Sequence, residues 1–307
     1  MFASLNEIVQ YTRSYYHAVF NRAYLCIILA VLTGIVCTKY FLHFHVAPVN
    51  GLQYFAARYC LYFFPYALAF LLQYAFFPHL IYYKSRWFWL LLLLAPLFFS
   101  LRVSFNFQQN FIIKTGSENI SYYWQAILKM VVRSLLLVVP VFIFWWMKDK
   151  KNQRPYGFNS LKNSKVFFIL LAFMVPLVVA AGFLPGFLKT YPVVLKIVGA
   201  DLFNKKAASL LFELCYAFDF FGIEFFFRGF LILALIRICG MHAIIPAAVF
   251  YCCIHLGKPM PEAISSFFGG LLLGIITYHN KSIWGGLIIH IGIAWLMEIV
   301  ALFQHYS

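Results

Sequence analysis

Long apolar runs separated by short polar breaks dominate the chain. The runs lie at roughly 24–44, 57–77, 87–104, 122–147, 165–186, 207–236, 243–256, 263–280 and 284–303. A helix needs about 20 apolar residues to cross the hydrocarbon core. The pattern therefore predicts an all-α, polytopic transmembrane helical bundle of about eight or nine spans. The run 207–236 exceeds one crossing and predicts either a tilted helix or two helices breaking near Gly222. The run 243–256 is short and starts after Gly240. A short span that carries polar groups is tolerated where protein or a water-filled cavity covers it. Between them, 184–206 holds Pro185, Gly186 and Pro192 with Lys189, Lys196, Lys205 and Lys206, and predicts a re-entrant or interfacial stretch. No fixed-period repeat occurs, and no inverted pair of broken helices of the transporter kind.

Composition agrees with this reading. Of 307 residues 64% are hydrophobic and 11% charged, with a mean hydropathy of +0.84. A soluble domain is about half apolar and a quarter charged. The first residues, Met1 to Arg22, lack the basic–apolar–small pattern of a cleaved signal, so the first span is expected to stay in the mature chain. The net charge of +15 raises the question of nucleic acid. The basic residues instead cluster in short loops, where they set orientation and meet anionic lipid headgroups. No nucleic-acid partner is expected, because no patterned basic domain is present. Seven cysteines lie in apolar stretches without a CxxC pair, and read as packing residues. Cys252 and Cys253 are near enough to His255 in sequence to be considered as thiolate ligands.

The loop 147–165 carries Lys148, Lys150, Lys151, Arg154, Lys162 and Lys165, which marks it as cytoplasmic. Counting back four spans puts the N-terminus on the same side, together with Arg13, Arg22, Lys84 and Arg86, while the loop around 45–56, without Lys or Arg, falls outside. The chain thus divides into an N-terminal region of about four spans (1–147), a basic cytoplasmic loop (148–164) and a C-terminal region (165–307). The last of these holds nearly all the ionisable groups embedded in apolar sequence.

Charges inside a span cost a few kcal/mol or more and mark function by default. Glu224 and Arg228 are four apart with the acid first, the favourable order for a helical ion pair. Taken alone they read as a structural pair. Asp219 and Glu213 on the same segment exceed what a packing helix needs, and predict that the run lines a polar cavity. His255 closes the run FYCCIH, and His290 lies in GGLIIHIGIAW. A lone histidine on an apolar helix is more often a hydrogen-bonded core residue than a ligand. Two of them plus a glutamate on three spans form a set that suits zinc or water activation, with His255 and His290 as the candidate metal ligands. HExxH, Gly-x-Ser-x-Gly, Gly-x-Gly-x-x-Gly and a P-loop are all absent. Gly269, Gly270 and Gly274, then Gly285 and Gly286, are small residues that allow close helix packing.

The order acid-x3-Arg-Gly, aromatic-x3-His, glycine-rich span and second histidine resembles the CPBP family of CAAX prenyl proteases and bacteriocin-processing, Abi-type membrane proteins. The resemblance covers about 207–303. It includes HLGKP (255–259), FFGGLLLG (267–274) and NKSIWGGLIIH (280–290). It implies an intramembrane endopeptidase acting on membrane-anchored or lipidated peptides, in a bacterial cytoplasmic membrane, with its site opening toward the cytoplasmic leaflet in the prenyl proteases. The family pattern is Glu-Glu-x-x-x-Arg, Phe-x-x-x-His and His-x-x-x-Asn. The first Glu and first His are taken to activate water, the second His and the Asn to stabilise the oxyanion, and a zinc ion has been considered. The second Glu and the Arg are mainly structural. Carried over, the second Glu is Glu224, the Arg is Arg228, and the two histidines are His255 and His290. The first Glu is Ile223 and the Asn is Ala294. Isoleucine takes no proton and alanine donates no hydrogen bond. Asp219, one helical turn before Ile223, and Glu298, one turn after Ala294, are the carboxylates placed to compensate. The resemblance thus leaves an endopeptidase with Glu224 or Asp219 as base, or a non-catalytic relative serving as partner or scaffold in a membrane complex. A small-molecule carrier using the same cavity is the third reading.

Overall fold

The computed structural model describes residues 2–42, 51–105, 118–161, 164–184, 186–198 and 204–306. Lys162, Pro185 and the first part of the 45–56 loop lie outside them. The helices are α1 (Phe2–Val19), α2 (Arg22–Tyr40), α3 (Gly51–Phe76), α4 (Arg86–Ser104), α5 (Glu118–Lys148), α6 (Lys165–Gly182), the short α7 (Phe187–Thr190) and α8 (Val193–Ile197), α9 (Lys205–Glu224), α10 (Ile236–Cys239), α11 (Ile244–Ile254), α12 (Met260–Asn280) and α13 (Trp284–Tyr306). There is no strand among the described residues, only one isolated bridge between Phe158 and Ser282. Eight helical segments are long and apolar enough to cross a membrane. The chain is an all-α polytopic bundle and an integral membrane protein.

The two runs 207–236 and 243–256 belong to one helical stretch, Lys205–Ile254. It does not break near Gly222. A Cβ at Gly222 would sit 2.4 Å from Ser134 Oγ, so this glycine serves close packing of α9 on α5. The stretch instead widens into a π-helix over Phe225–Ala234 and turns at Gly240, whose φ of +55° suits a residue without a side chain. Asn204 starts it as N-cap, accepting from Ala207 N at 3.0 Å. Every residue of the π segment is buried. Its four phenylalanines, Phe225, Phe226, Phe227 and Phe230, pack with Phe250, Phe99, Tyr62 and Tyr66 in an aromatic core drawn from α3, α4, α11 and the π segment. Gln73, fully buried on α3, has its amide satisfied. It donates to Tyr24 Oη (3.2 Å) and to the His242 carbonyl (2.8 Å), and accepts from Tyr82 Oη (3.0 Å).

The basic loop is fastened to the turn between α12 and α13. Ile283 N donates to the Gly157 carbonyl at 3.1 Å, and Asn159 Nδ2 to the Lys281 carbonyl at 2.7 Å. Gly157 has φ +80°, and a Cβ there would lie 2.3 Å from Ile283 Cγ2. Since α11 separates the turn at Gly240 from His255 at its C-cap, the two ends of the C-terminal bundle are distinct. Arg237, Lys281 and the basic loop mark one end. His255, Lys258 and Tyr40, whose hydroxyl donates to the Lys258 carbonyl at 2.5 Å, mark the other.

Candidate functional site

Glu224 ends α9 and is fully buried. Its Oε1 lies 3.0 Å from His290 Nδ1 and 3.1 Å from Arg228 Nη1. The latter contact is an ion pair by distance without hydrogen-bond alignment, since none of the Arg228 nitrogens has a hydrogen-bond partner among the described residues. The guanidinium stacks instead over the Tyr251 ring, 4.5 Å from its centroid. The close approach of α13 depends on Gly286. A Cβ at that position would lie 2.3 Å from Glu224 Oε2. His290, one turn on, is thereby brought onto the carboxylate.

A carboxylate only accepts, so in its neutral form His290 bonded to Glu224 carries its proton on Nδ1 and has the lone pair on Nε2. The Phe220 ring braces the imidazole at 4.3 Å. His255 caps α11, and its Nδ1 lies 2.8 Å from the Tyr251 carbonyl. A carbonyl likewise only accepts, which leaves His255 Nε2 unprotonated. Tyr251 stands between the two histidines, its ring 4.5 Å from that of His255 and 6.2 Å from that of His290. The site thus holds two imidazoles, each with a defined basic nitrogen, and one buried carboxylate bonded to the second of them.

Asp219 does not join this group. Arg102 of α4 grips it bidentately at 2.6 and 2.8 Å, so both carboxylate oxygens are engaged one turn from the position where a base was sought. Glu298 is also committed elsewhere. It accepts from Val193 N (2.8 Å) and Val194 N (3.1 Å), anchoring the first turn of α8. Ile223 packs against the aromatic core and Ala294 is buried, so an apolar surface occupies the two altered motif positions. Cys252 Sγ contacts the Ala263 carbonyl at 3.2 Å, and Cys253 is buried. Among the described residues no group of three or more His, Cys, Asp or Glu is placed to hold a metal ion. His255 and His290 each have Nδ1 engaged and Nε2 free, as metal-ligating histidines do, but among the described residues no third ligand stands with them. This donor set does not fit a three-ligand zinc shell.

Three contributors went unread in the sequence. Gly286 looked like packing, Tyr251 like the aromatic of a motif, and Arg102 was passed over. An arginine inside the apolar run 87–104 was a signal that it had an acidic partner. Substituting Gly286 with Ala is expected to push out the Glu224 carboxylate and cost about 1–3 kcal/mol, the usual penalty of overpacking. Thermal unfolding in detergent checks this, and an unchanged midpoint would show that α13 can shift freely.

A membrane-embedded helical bundle with a carboxylate-bound imidazole, a second tautomer-fixed histidine and a buried arginine belongs to the class of proteins built around a polar intramembrane site. Residues 206–296 match the family model described as type II CAAX prenyl endopeptidase Rce1-like, a match consistent with the CPBP resemblance. The matched segment contains Glu224, Arg228, His255, Gly286 and His290. No curated protein and no solved structure matches the chain.

Proposed function

We propose that the chain is an intramembrane endopeptidase-like protein that takes membrane-anchored or lipidated peptides and hydrolyses them slowly. The observation that carries this reading is the 3.0 Å contact between Glu224 and His290 inside the Rce1-like segment. A carboxylate holding Nδ1–H fixes the ring and leaves Nε2 as a base, the arrangement by which an acid orients a catalytic imidazole. In the reaction, His290 Nε2 takes a proton from water as its oxygen bonds to the scissile carbonyl carbon, and the carbonyl π pair moves onto oxygen. The resulting tetrahedral adduct collapses as the imidazolium returns the proton to the amide nitrogen and the C–N bond breaks. His255 Nε2 is a second base or a substrate-orienting acceptor. Ala294 supplies no donor to the oxyanion and Ile223 no second carboxylate, which is why turnover is slow. The membrane is taken to be a bacterial cytoplasmic membrane with the N-terminus inside, on the strength of the basic loop and of Arg13, Arg22, Lys84 and Arg86.

The apolar surroundings of Ile223 and Ala294 favour a second reading, a non-catalytic partner or scaffold that binds the same peptides. A quenched, lipidated peptide in proteoliposomes separates the two. Slow cleavage is expected, falling about 100-fold or more in His290→Ala. Cleavage that persists in both His290→Ala and His255→Ala would remove these residues from the mechanism. Binding of the lipidated peptide with no cleavage at all would favour the scaffold.

A further inference from the structure

At the end of the bundle away from His255, a cavity of about 250 Å³ lies between the basic loop and the Lys281 turn. Its lining includes Asn152, Gln153, Arg154, Arg237 and Lys281, with Leu233 and Ile236 as an apolar wall. Three cations from three separate segments therefore face one small space. The acid beside it, Asp149, accepts a hydrogen bond from Tyr156 Oη on one oxygen and lies 3.9 Å from Arg237 on the other. That leaves the cavity with an excess of two positive charges. Gln153 Nε2, a donor, is buried with no partner among the described residues. The frame is rigid: Lys281 is in the left-handed region at φ +55°, and its backbone is tied by Lys281 N to the Thr277 carbonyl (2.8 Å) and by its own carbonyl to Asn159 Nδ2 (2.7 Å).

We propose that this cavity is a binding site for a phosphate-bearing anion, held by Arg154, Arg237 and Lys281 with Gln153 Nε2 as an additional donor. Surroundings with three cationic donors suit the oxygens of a phosphate, and arginine is the side chain that meets them best. The location favours a lipid source. Arg237 lies just beyond the apolar π segment and Lys281 sits between two spans, as expected of residues near the headgroups, with the half-buried Ile236 in the apolar wall beside them. Basic pockets between transmembrane helices select anionic headgroups in this way. None of Glu224, Arg228, His255 and His290 lines this cavity.

The full chain, purified in phosphatidylcholine micelles and titrated with phosphatidylglycerol, tests the proposal by native mass spectrometry. Retention of phosphatidylglycerol over phosphatidylcholine is expected, weakening about fivefold for each of Arg154→Gln, Arg237→Gln and Lys281→Gln, the worth of one basic side chain at an anionic surface. Lys151→Gln, in the same loop but outside the cavity, is expected to change nothing. Displacement by inorganic phosphate would assign the site to phosphate groups generally; lipid retention that phosphate does not displace would assign it to the headgroup of a lipid. Equal retention by wild type and by the triple variant, each with an unchanged unfolding midpoint, would overturn the proposal, as would no preference for the anionic lipid.

Discussion

The double substitution Ile223→Glu, Ala294→Asn is expected to raise hydrolysis of a lipidated peptide by at least about 100-fold over the native chain. The two changes restore a carboxyl group and an amide donor to the positions where the family pattern has them. A positioned general base contributes about 10²–10⁴ in rate, and one oxyanion donor about 10²–10³. The contributions do not multiply freely, because both groups act on the same tetrahedral adduct. The cost is local. Ile223 packs against the aromatic core, so a glutamate there loses apolar contact and stands beside the buried Glu224. Each single substitution is expected to gain less than the pair. Cleavage in proteoliposomes, with unfolding midpoints measured alongside, checks the outcome. A folded double variant with no gain would mean that the site's geometry, and not merely its missing groups, has departed from an enzyme's.

The second large effect concerns stability. Glu224→Ala is expected to cost about 3–5 kcal/mol, because it leaves the Arg228 charge buried and unpaired. Arg228 is only 1% exposed, and Glu224 is the acid within ion-pair distance of it among the described residues. The substitution also removes the acceptor of His290 Nδ1. Glu224→Gln keeps an acceptor but not the charge, and is expected to fall between. The paired change Glu224→Leu, Arg228→Met is expected to recover most of the loss, since replacing both members of a buried pair by apolar groups is often neutral. Thermal unfolding of the three variants in one detergent decides it. A mild effect of Glu224→Ala would mean that water or lipid reaches Arg228 and compensates it.

Much of the bundle was legible from the apolar runs, because a 30 Å hydrocarbon slab imposes one length and one backbone solution on every crossing. The exception was the stretch from Lys205 to Ile254. There the sequence left open a tilted helix or a break near Gly222; the chain continues, widens at Phe225 and turns at Gly240. Both glycines look alike in sequence. One meets a serine of a neighbouring helix and the other needs a positive φ, and only the packed structure separates those causes. At the site, the four-residue spacing of Glu224 and Arg228 was readable because it is a property of one helix. The bond from Glu224 to His290, between residues 66 apart, was not. Asp219 illustrates the same limit. Its position one turn from Ile223 was correctly read, but spacing along α9 says nothing about an arginine reaching over from α4. Glu298 was claimed in the same way by the backbone of α8.

Gly286 gives this site a signature that a saturation mutagenesis survey would detect. Positions that tolerate nothing are commonly taken to carry a reactive group, and this one carries no side chain at all. The space left by its missing Cβ is occupied by a carboxylate oxygen from another helix. Every replacement there should reproduce the phenotype of damaging Glu224, whatever its polarity, whereas Gly269, with open space around it, should accept small side chains. In divergent relatives of this chain, an unchangeable glycine one turn before a histidine would then locate the partner acid even where the motif letters around that acid have drifted.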